Sequence, residues 1–331
     1  MTEPLAPWLV TQLQTLLTQR GHAWLLLGPP GLGQYPLALA LVRAWLCENP
    51  GEHGACGQCA SCHAIDVRTH ADLCVLLPET DMLRLGWPLP EKAQKEIDEK
   101  SRKPSKEIRV DALRDAVEFS QRTSGRGRGK VVLVYPAERM NHIAANTLLK
   151  TLEEPPGDMK FVLASQAAHQ LLPTIRSRCI GHSLLWPDPV QALQWLVAQG
   201  VADAPARQAL RASGGRPHEA LEVAQDTTPA AWAQLPRALL RGDPSALAHW
   251  SPPQAVDVLQ KLCHDQMCVQ VGALPRFFDA QDLPAPPPLS ALAAWAKALA
   301  LSARTAEHPF NAGLMLESLV SQAHSALNSR H

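Results

Sequence analysis

The chain has 331 residues; 31 Lys plus Arg balance 31 Asp plus Glu to a formal net charge of zero, and 46% of residues are hydrophobic. That composition supports real cores, and at roughly 100–200 residues per domain the length predicts two or three domains. It excludes wholesale disorder, which needs low hydrophobicity or high net charge, and it disfavours a free-standing DNA-coating protein, which carries a large positive excess.

Leu5, Leu9, Leu13, Leu16 and Leu17 recur at helical spacing and predict an amphipathic helix over 4–20. A short apolar strand over 22–27 follows, then the turn Gly28-Pro29-Pro30-Gly31-Leu32-Gly33 and a Leu/Ala-rich helix over 35–47. A Cys-rich loop occupies 47–62, and a strand is expected over 73–77. Residues 78–107 are charged, contain Pro and lack apolar period, and read as a long exposed insertion. A helix over 110–122, a basic loop over 124–130 and a buried strand over 131–134 come next. The helix over 141–154 is stopped by Pro155-Pro156, and further strands are expected over 161–164 and 179–185. Strands alternating with helices predict a largely parallel sheet. After Trp186-Pro187-Asp188-Pro189 the pattern becomes Ala/Leu-rich helix with Pro/Gly breaks: 189–199, 205–212, 217–225, 229–241, 253–271, 288–304 and 311–328.

The most apolar windows are short or broken by Arg43 and Lys297, so no membrane span is predicted. Glu3, and the lack of Lys or Arg before Arg20, do not fit a secretory leader, and a cytoplasmic address is expected. In a reducing compartment the eight cysteines are not expected to form a disulfide framework.

A phosphate-binding loop reads G-x-x-x-x-G-K-[ST]: backbone N–H groups cradle phosphates, Lys neutralises charge and the hydroxyl holds Mg²⁺. The frame from Gly28 to Gly33 has that spacing, but Gln34 stands at the Lys position and Tyr35 at the Ser/Thr position. Neither residue supplies the missing chemistry, so no productive ATP binding is expected. The bland reading of the frame is a tight strand-to-helix turn that needs glycine. The apolar strand Val131–Val134 runs into Tyr135-Pro136-Ala137-Glu138, with no acid at its tip to hold Mg²⁺.

Cys56, Cys59 and Cys62 fall at x2 spacing, with Cys47 upstream. Four thiolates suit a closed tetrahedral Zn²⁺ shell and hence a structural metal. His53, His63 or His70 replacing one cysteine, an iron–sulfur cluster and incidental core cysteines are the alternatives. Arg122, Arg126, Arg128 and Lys130 form a small basic cluster that reads as a DNA-phosphate contact or as a solvated loop.

Two further segments carry a resemblance. Ala145-Asn-Thr-Leu-Leu-Lys-Thr-Leu-Glu-Glu-Pro-Pro156 resembles the signature helix of bacterial clamp-loader ATPases of the AAA+ class, and Thr174-Ile-Arg-Ser-Arg-Cys179 resembles their Ser-Arg-Cys motif. With the altered phosphate loop and the four cysteines, the chain resembles a non-hydrolysing member of that family over roughly residues 1–225.

The resemblance implies a P-loop-type AAA+ α/β domain over 1–185, with its zinc module at Cys47, Cys56, Cys59 and Cys62. A small helical lid over 186–227 and an all-α collar over 228–331 would follow. It implies that Arg178 enters a neighbouring subunit's ATP site as an arginine finger. Ser165-Gln166 and His218 would stand at sensor positions, with Arg216 shifted. The implied partners are gamma/tau ATPase subunits and the delta subunit of the DNA polymerase III clamp loader, and through them the sliding clamp and primer-template DNA. Rival readings are an active NTPase with an altered loop and a stand-alone zinc-containing nucleic-acid binder.

Overall fold

The computed structural model describes residues 4–226, 228–308 and 311–329. The chain divides into two compact units, Met1–Gln191 and Ala192–His331. The first unit runs α1 (Pro7–Thr18), β1 (Ala23–Leu27), α2 (Gln34–Leu46), α3 (Ala60–Asp66), β2 (Leu73–Leu76), α4 (Glu79–Arg84), α5 (Glu91–Asp98), α6 (Val110–Gln121), β3 (Lys130–Val134), α7 (His142–Glu153), β4 (Met159–Ser165), α8 (Pro173–Arg176) and β5 (Ile180–Ser183).

The five strands form one parallel sheet in the order β2-β3-β4-β1-β5. The inner strands read as unbroken apolar runs because helices cover both faces. Ala23, Leu25, Val132, Val134, Phe161 and Leu163 share a core with α6 and α7. Their alternating neighbours, including Leu26, Val131, Leu133 and Val162, are equally buried, on the face that α2 covers.

The expected sheet and its flanking helices are present, but the insertion at 78–107 differs from the sequence reading. It holds α4 and α5, and its polar residues meet one another. Glu79 is buried and accepts from both terminal nitrogens of Arg102 at 2.5 and 2.8 Å and from the Ser105 N–H at 2.7 Å. Arg102 also reaches Glu96 at 2.7 Å. Burial works to raise the Glu79 carboxyl, yet Arg102, the Ser105 N–H and Arg109 hold it below its ordinary value. Charges that suggest a solvated loop instead tie this segment together.

In the second unit, α9 (Pro189–Ala198), which begins just before the division, α10 (Asp203–Ala212) and α11 (Pro217–Asp226) share a small core of Leu196, Ala206, Ala209 and Ala220. A larger core joins α12 (Pro229–Leu240), α13 (Pro252–Gln270), α14 (Leu289–Thr305) and α15 (Ala312–Leu327). Trp232 stacks on Phe278 there, with ring centroids 4.7 Å apart. The fully buried Asp265 accepts from the backbone N–H groups of Arg276, Phe277 and Phe278 at 2.7–2.9 Å. No helix among the described residues is long and apolar enough to cross a membrane.

Candidate functional site

The glycine-rich turn lies between the C-terminal end of β1 and α2, where parallel α/β sheets bind ligands. Gly33, at φ 102°, caps α2 in a left-handed conformation that side chains rarely adopt. The Gln34 side chain is 2% exposed and folds back into the turn. Its amide donates to the carbonyls of Gly28 at 2.5 Å and Pro29 at 2.7 Å. A lysine here would extend toward phosphate; Gln34 instead fastens the loop to itself.

Tyr35 is 8% exposed, and its ring lies 5.3 Å from that of Tyr135 at the end of β3. The Tyr35 hydroxyl accepts from the Trp87 indole N–H at 2.6 Å, and the Arg68 guanidinium sits 4.5 Å above the Trp87 ring. An aromatic cluster thus occupies the ends of β1 and β3. Burial pushes the Tyr35 phenol up, against the pull of Trp87, Arg68 and Arg84, and pushes Tyr135 up to about 12. Trp87 comes from the insertion; a lone tryptophan in a charged stretch was its only sequence signal.

The acid beyond β3 is directed elsewhere. Glu138 accepts from the Gln166 backbone N–H at 3.0 Å, and the Gln166 amide donates to the Tyr135 hydroxyl at 2.7 Å. Ser165 is fully buried and accepts from the Ala167 N–H. In the second unit Arg216 binds Glu219 at 2.6 Å and the Ser213 carbonyl at 2.8 Å, while the His218 ring lies 4.9 Å from that of Trp195.

Arg178 follows the short helix α8. Its side chain is 29% exposed, between an exposed Ser177 and a half-buried Cys179. One terminal nitrogen donates to the Thr174 carbonyl at 2.8 Å and the other to Glu153 at the end of α7. Burial pushes the Cys179 thiol up to about 12, which keeps it a neutral core group.

The four cysteines predicted as ligands converge. The sulfurs of Cys47, Cys56, Cys59 and Cys62 all lie within 4.8 Å of one another. A tetrahedral Zn–S shell at about 2.3 Å has S···S edges of about 3.8 Å, and Cys47 and Cys59 are 3.8 Å apart. The Cys56 N–H points at the Cys47 sulfur at 3.3 Å and the Cys62 N–H at the Cys59 sulfur at 3.4 Å. Burial works to raise Cys59, but N–H donors from Cys62 and Glu48 outweigh it and bring the thiol to about 6. Burial holds Cys62 up, near 12.

This donor set fits a thiophilic divalent ion that stabilises all four thiolates together. Cys47 ends α2, and the other three surround the start of α3, so a bound metal would fasten α3 to the sheet domain. His53 and His70 are not in the cluster; they contact Gln14 and the Asp72 N–H.

The basic cluster is less free than its sequence suggests. Arg122 pairs with Glu118 and Arg126 with Glu48. Lys130 is buried in β3, with its ammonium over the Phe119 ring at 3.9 Å. It is a core cation, and the expectation of a surface charge is corrected accordingly. Asp72 accepts from Ser124, Gly125 and Arg126, fixing the start of the loop. A groove of about 800 Å³, lined in part by Trp45, His53, Arg128 and Lys160, lies beside the opposite, N-terminal ends of β3 and β4 rather than at the phosphate-loop frame.

Residues 6–185 match the family described as DNA polymerase III, delta subunit. The DNA polymerase III subunit delta' of Pseudomonas aeruginosa is 41% identical over 202 residues, covering 60% of this chain and 54% of that protein. The Escherichia coli protein of the same name is 34% identical over 281 residues, 81% of this chain and 77% of its own length. This chain therefore spans about half of the first relative and three quarters of the second. Among solved structures, a DNA polymerase III gamma subunit-related protein of Thermotoga maritima superposes with a TM-score of 0.50 at 18% identity, covering 96% of this chain and 99% of that one.

Proposed function

The chain belongs to the DNA polymerase III delta-subunit family, and from that premise we propose that it is a non-hydrolysing clamp-loader subunit that lends an arginine to a neighbour's ATP site. The observation that carries the first half is the filled phosphate loop. Gln34 bonds to the loop's own carbonyls, and Tyr35, Trp87 and Tyr135 close the end of the sheet. No lysine and no metal-holding acid stands there. The second half rests on Arg178, a partly exposed guanidinium just after a short helix, in the Ser-Arg-Cys segment. A guanidinium placed in trans stabilises charge on the transferring γ-phosphoryl group.

The partners of this reading are gamma/tau ATPase subunits and the delta subunit, with the sliding clamp and primer-template DNA reached through them, in the cytoplasm. Residues 1–185 are the AAA+ domain, 186–227 the lid and 228–331 the collar. Cys47, Cys56, Cys59 and Cys62 hold a structural zinc, whose role is to cross-link α2 to α3 and which leaves no open position for substrate.

The test is reconstitution with gamma/tau and delta subunits, followed by DNA-stimulated ATP turnover. Arg178→Ala should leave the complex intact and slow hydrolysis at the site it enters by roughly 10³–10⁵-fold, as for other fingers supplied in trans. Failure to form a stoichiometric complex would refute the clamp-loader role. Unchanged turnover in a complete complex would refute the finger. ATP hydrolysis by the isolated chain would refute the non-hydrolysing assignment.

A further inference from the structure

Glu153 is the last residue of α7, immediately before Glu154 and the Pro155-Pro156 stop. A carboxylate at a helix C-terminus meets the negative end of the macrodipole, where a cation is favoured. Such a locally unfavourable residue calls for a compensating partner, and Arg178 supplies it across 25 residues of sequence. The guanidinium is held from two elements: Nη1 by the Thr174 carbonyl of α8 at 2.8 Å, and Nη2 by Glu153 of α7. Its Nε is buried and has no partner.

Arginine carries five N–H donors, two on each terminal nitrogen. Nη1 donates to the Thr174 carbonyl and, at 3.5 Å, reaches the Ser177 hydroxyl, while Nη2 has the single contact to Glu153, so Nη2 keeps a second N–H to donate to a phosphoryl group. Without Glu153 the side chain would be tethered on one side only, and a flexible finger must be ordered at the moment of reaction.

We infer that Glu153 is a positioning residue that holds the Arg178 guanidinium at a fixed angle for presentation to a partner subunit's ATP. This rests on the reading of Arg178 as a trans-acting finger.

The experiment uses the complete reconstituted complex and measures kcat and KM for DNA-stimulated ATP hydrolysis. Wild type is compared with Glu153→Ala, Glu153→Gln, Arg178→Ala and the Glu153→Ala/Arg178→Ala double variant. Complex formation is checked by gel filtration and folding by thermal unfolding. Misplacement of a catalytic group by about 1 Å costs on the order of 100-fold, so Glu153→Ala should lower kcat by roughly 10- to 100-fold at unchanged KM. Glu153→Gln keeps an accepting oxygen and should fall between Glu153→Ala and wild type. The double variant should match Arg178→Ala, because a positioning residue has nothing to position once the arginine is gone.

A Glu153→Ala complex with wild-type kcat, beside an impaired Arg178→Ala complex, overturns the inference and leaves the finger standing. So does additivity in the double variant, which would give Glu153 a role of its own. A raised kcat overturns it too, showing that Glu153 restrains the arginine rather than aims it. Unchanged kcat in Arg178→Ala refutes the finger itself.

Discussion

The chain contains only two tyrosines, and both lie in the aromatic cluster at the phosphate-loop frame. Alkaline titration therefore reads this site alone. Burial pushes Tyr135 from 10.0 up to about 12, and Tyr35 moves in the same direction. A tenfold change in an ionisation constant is about 1.4 kcal/mol of preference for the neutral phenol, so the burial of Tyr135 corresponds to about 3 kcal/mol at most. The sign follows from the raised folded value: the stabilisation is complete below pH 10 and is lost as pH climbs from there through 12, because the unfolded chain ionises first. Phenolate absorbance should rise at higher pH than for free phenols, with the Tyr135 step near pH 12 accompanied by loss of far-UV circular dichroism. Two independent phenols titrating near pH 10 in a chain that keeps its helical signal would refute a buried cluster and, with it, the filled phosphate loop.

The other two expectations concern the segments that close onto this domain. Trp87→Ala removes a side chain 8% exposed and leaves the Tyr35 hydroxyl without its donor; urea unfolding should show a loss of about 3–5 kcal/mol, as for aromatic truncation in a core. Trp87→Phe keeps the ring but not the N–H and should lose about 1–3 kcal/mol. Purified protein should contain about one zinc per chain by elemental analysis, held by the four cysteines. A strong chelator should then lower the melting temperature and expose the amides of α3 to hydrogen exchange; metal-free protein with the same melting profile would remove the structural role.

The strands and long helices were legible because their cause is local. Val131–Val134 is an unbroken apolar run, and β3 is buried along its whole length. The cysteine cluster was legible for a related reason, since Cys56, Cys59 and Cys62 sit at spacing that one turn of α3 and its entry can bring together. What escaped the sequence depends on partners far along the chain. Glu79 meets Arg102 across 23 residues, and Trp87 meets Tyr35 across 52. Periodicity carries no record of such pairs, so the charged stretch 78–107 suggested solvent. Lys130 misled in the opposite sense: it adjoins an Arg/Gly loop in sequence, but the first residue of a buried strand takes its environment from the sheet.

The two ends of the proposed mechanism are built by opposite uses of the same kind of residue. At the phosphate-loop frame the polar atoms turn inward. Gln34 bonds to the loop, and the Trp8 indole N–H bonds to the Leu32 carbonyl at 3.2 Å, so the loop shape is enforced by its own packing and needs no phosphate. That explains how the glycine frame can persist without the lysine: Gly33 keeps its left-handed cap because α2 must start there, whatever binds. At α8 the logic is reversed. Arg178 is held at its terminal nitrogens by Thr174, Ser177 and Glu153, and in the proposed mechanism this restraint presents a fixed cation to a neighbouring subunit.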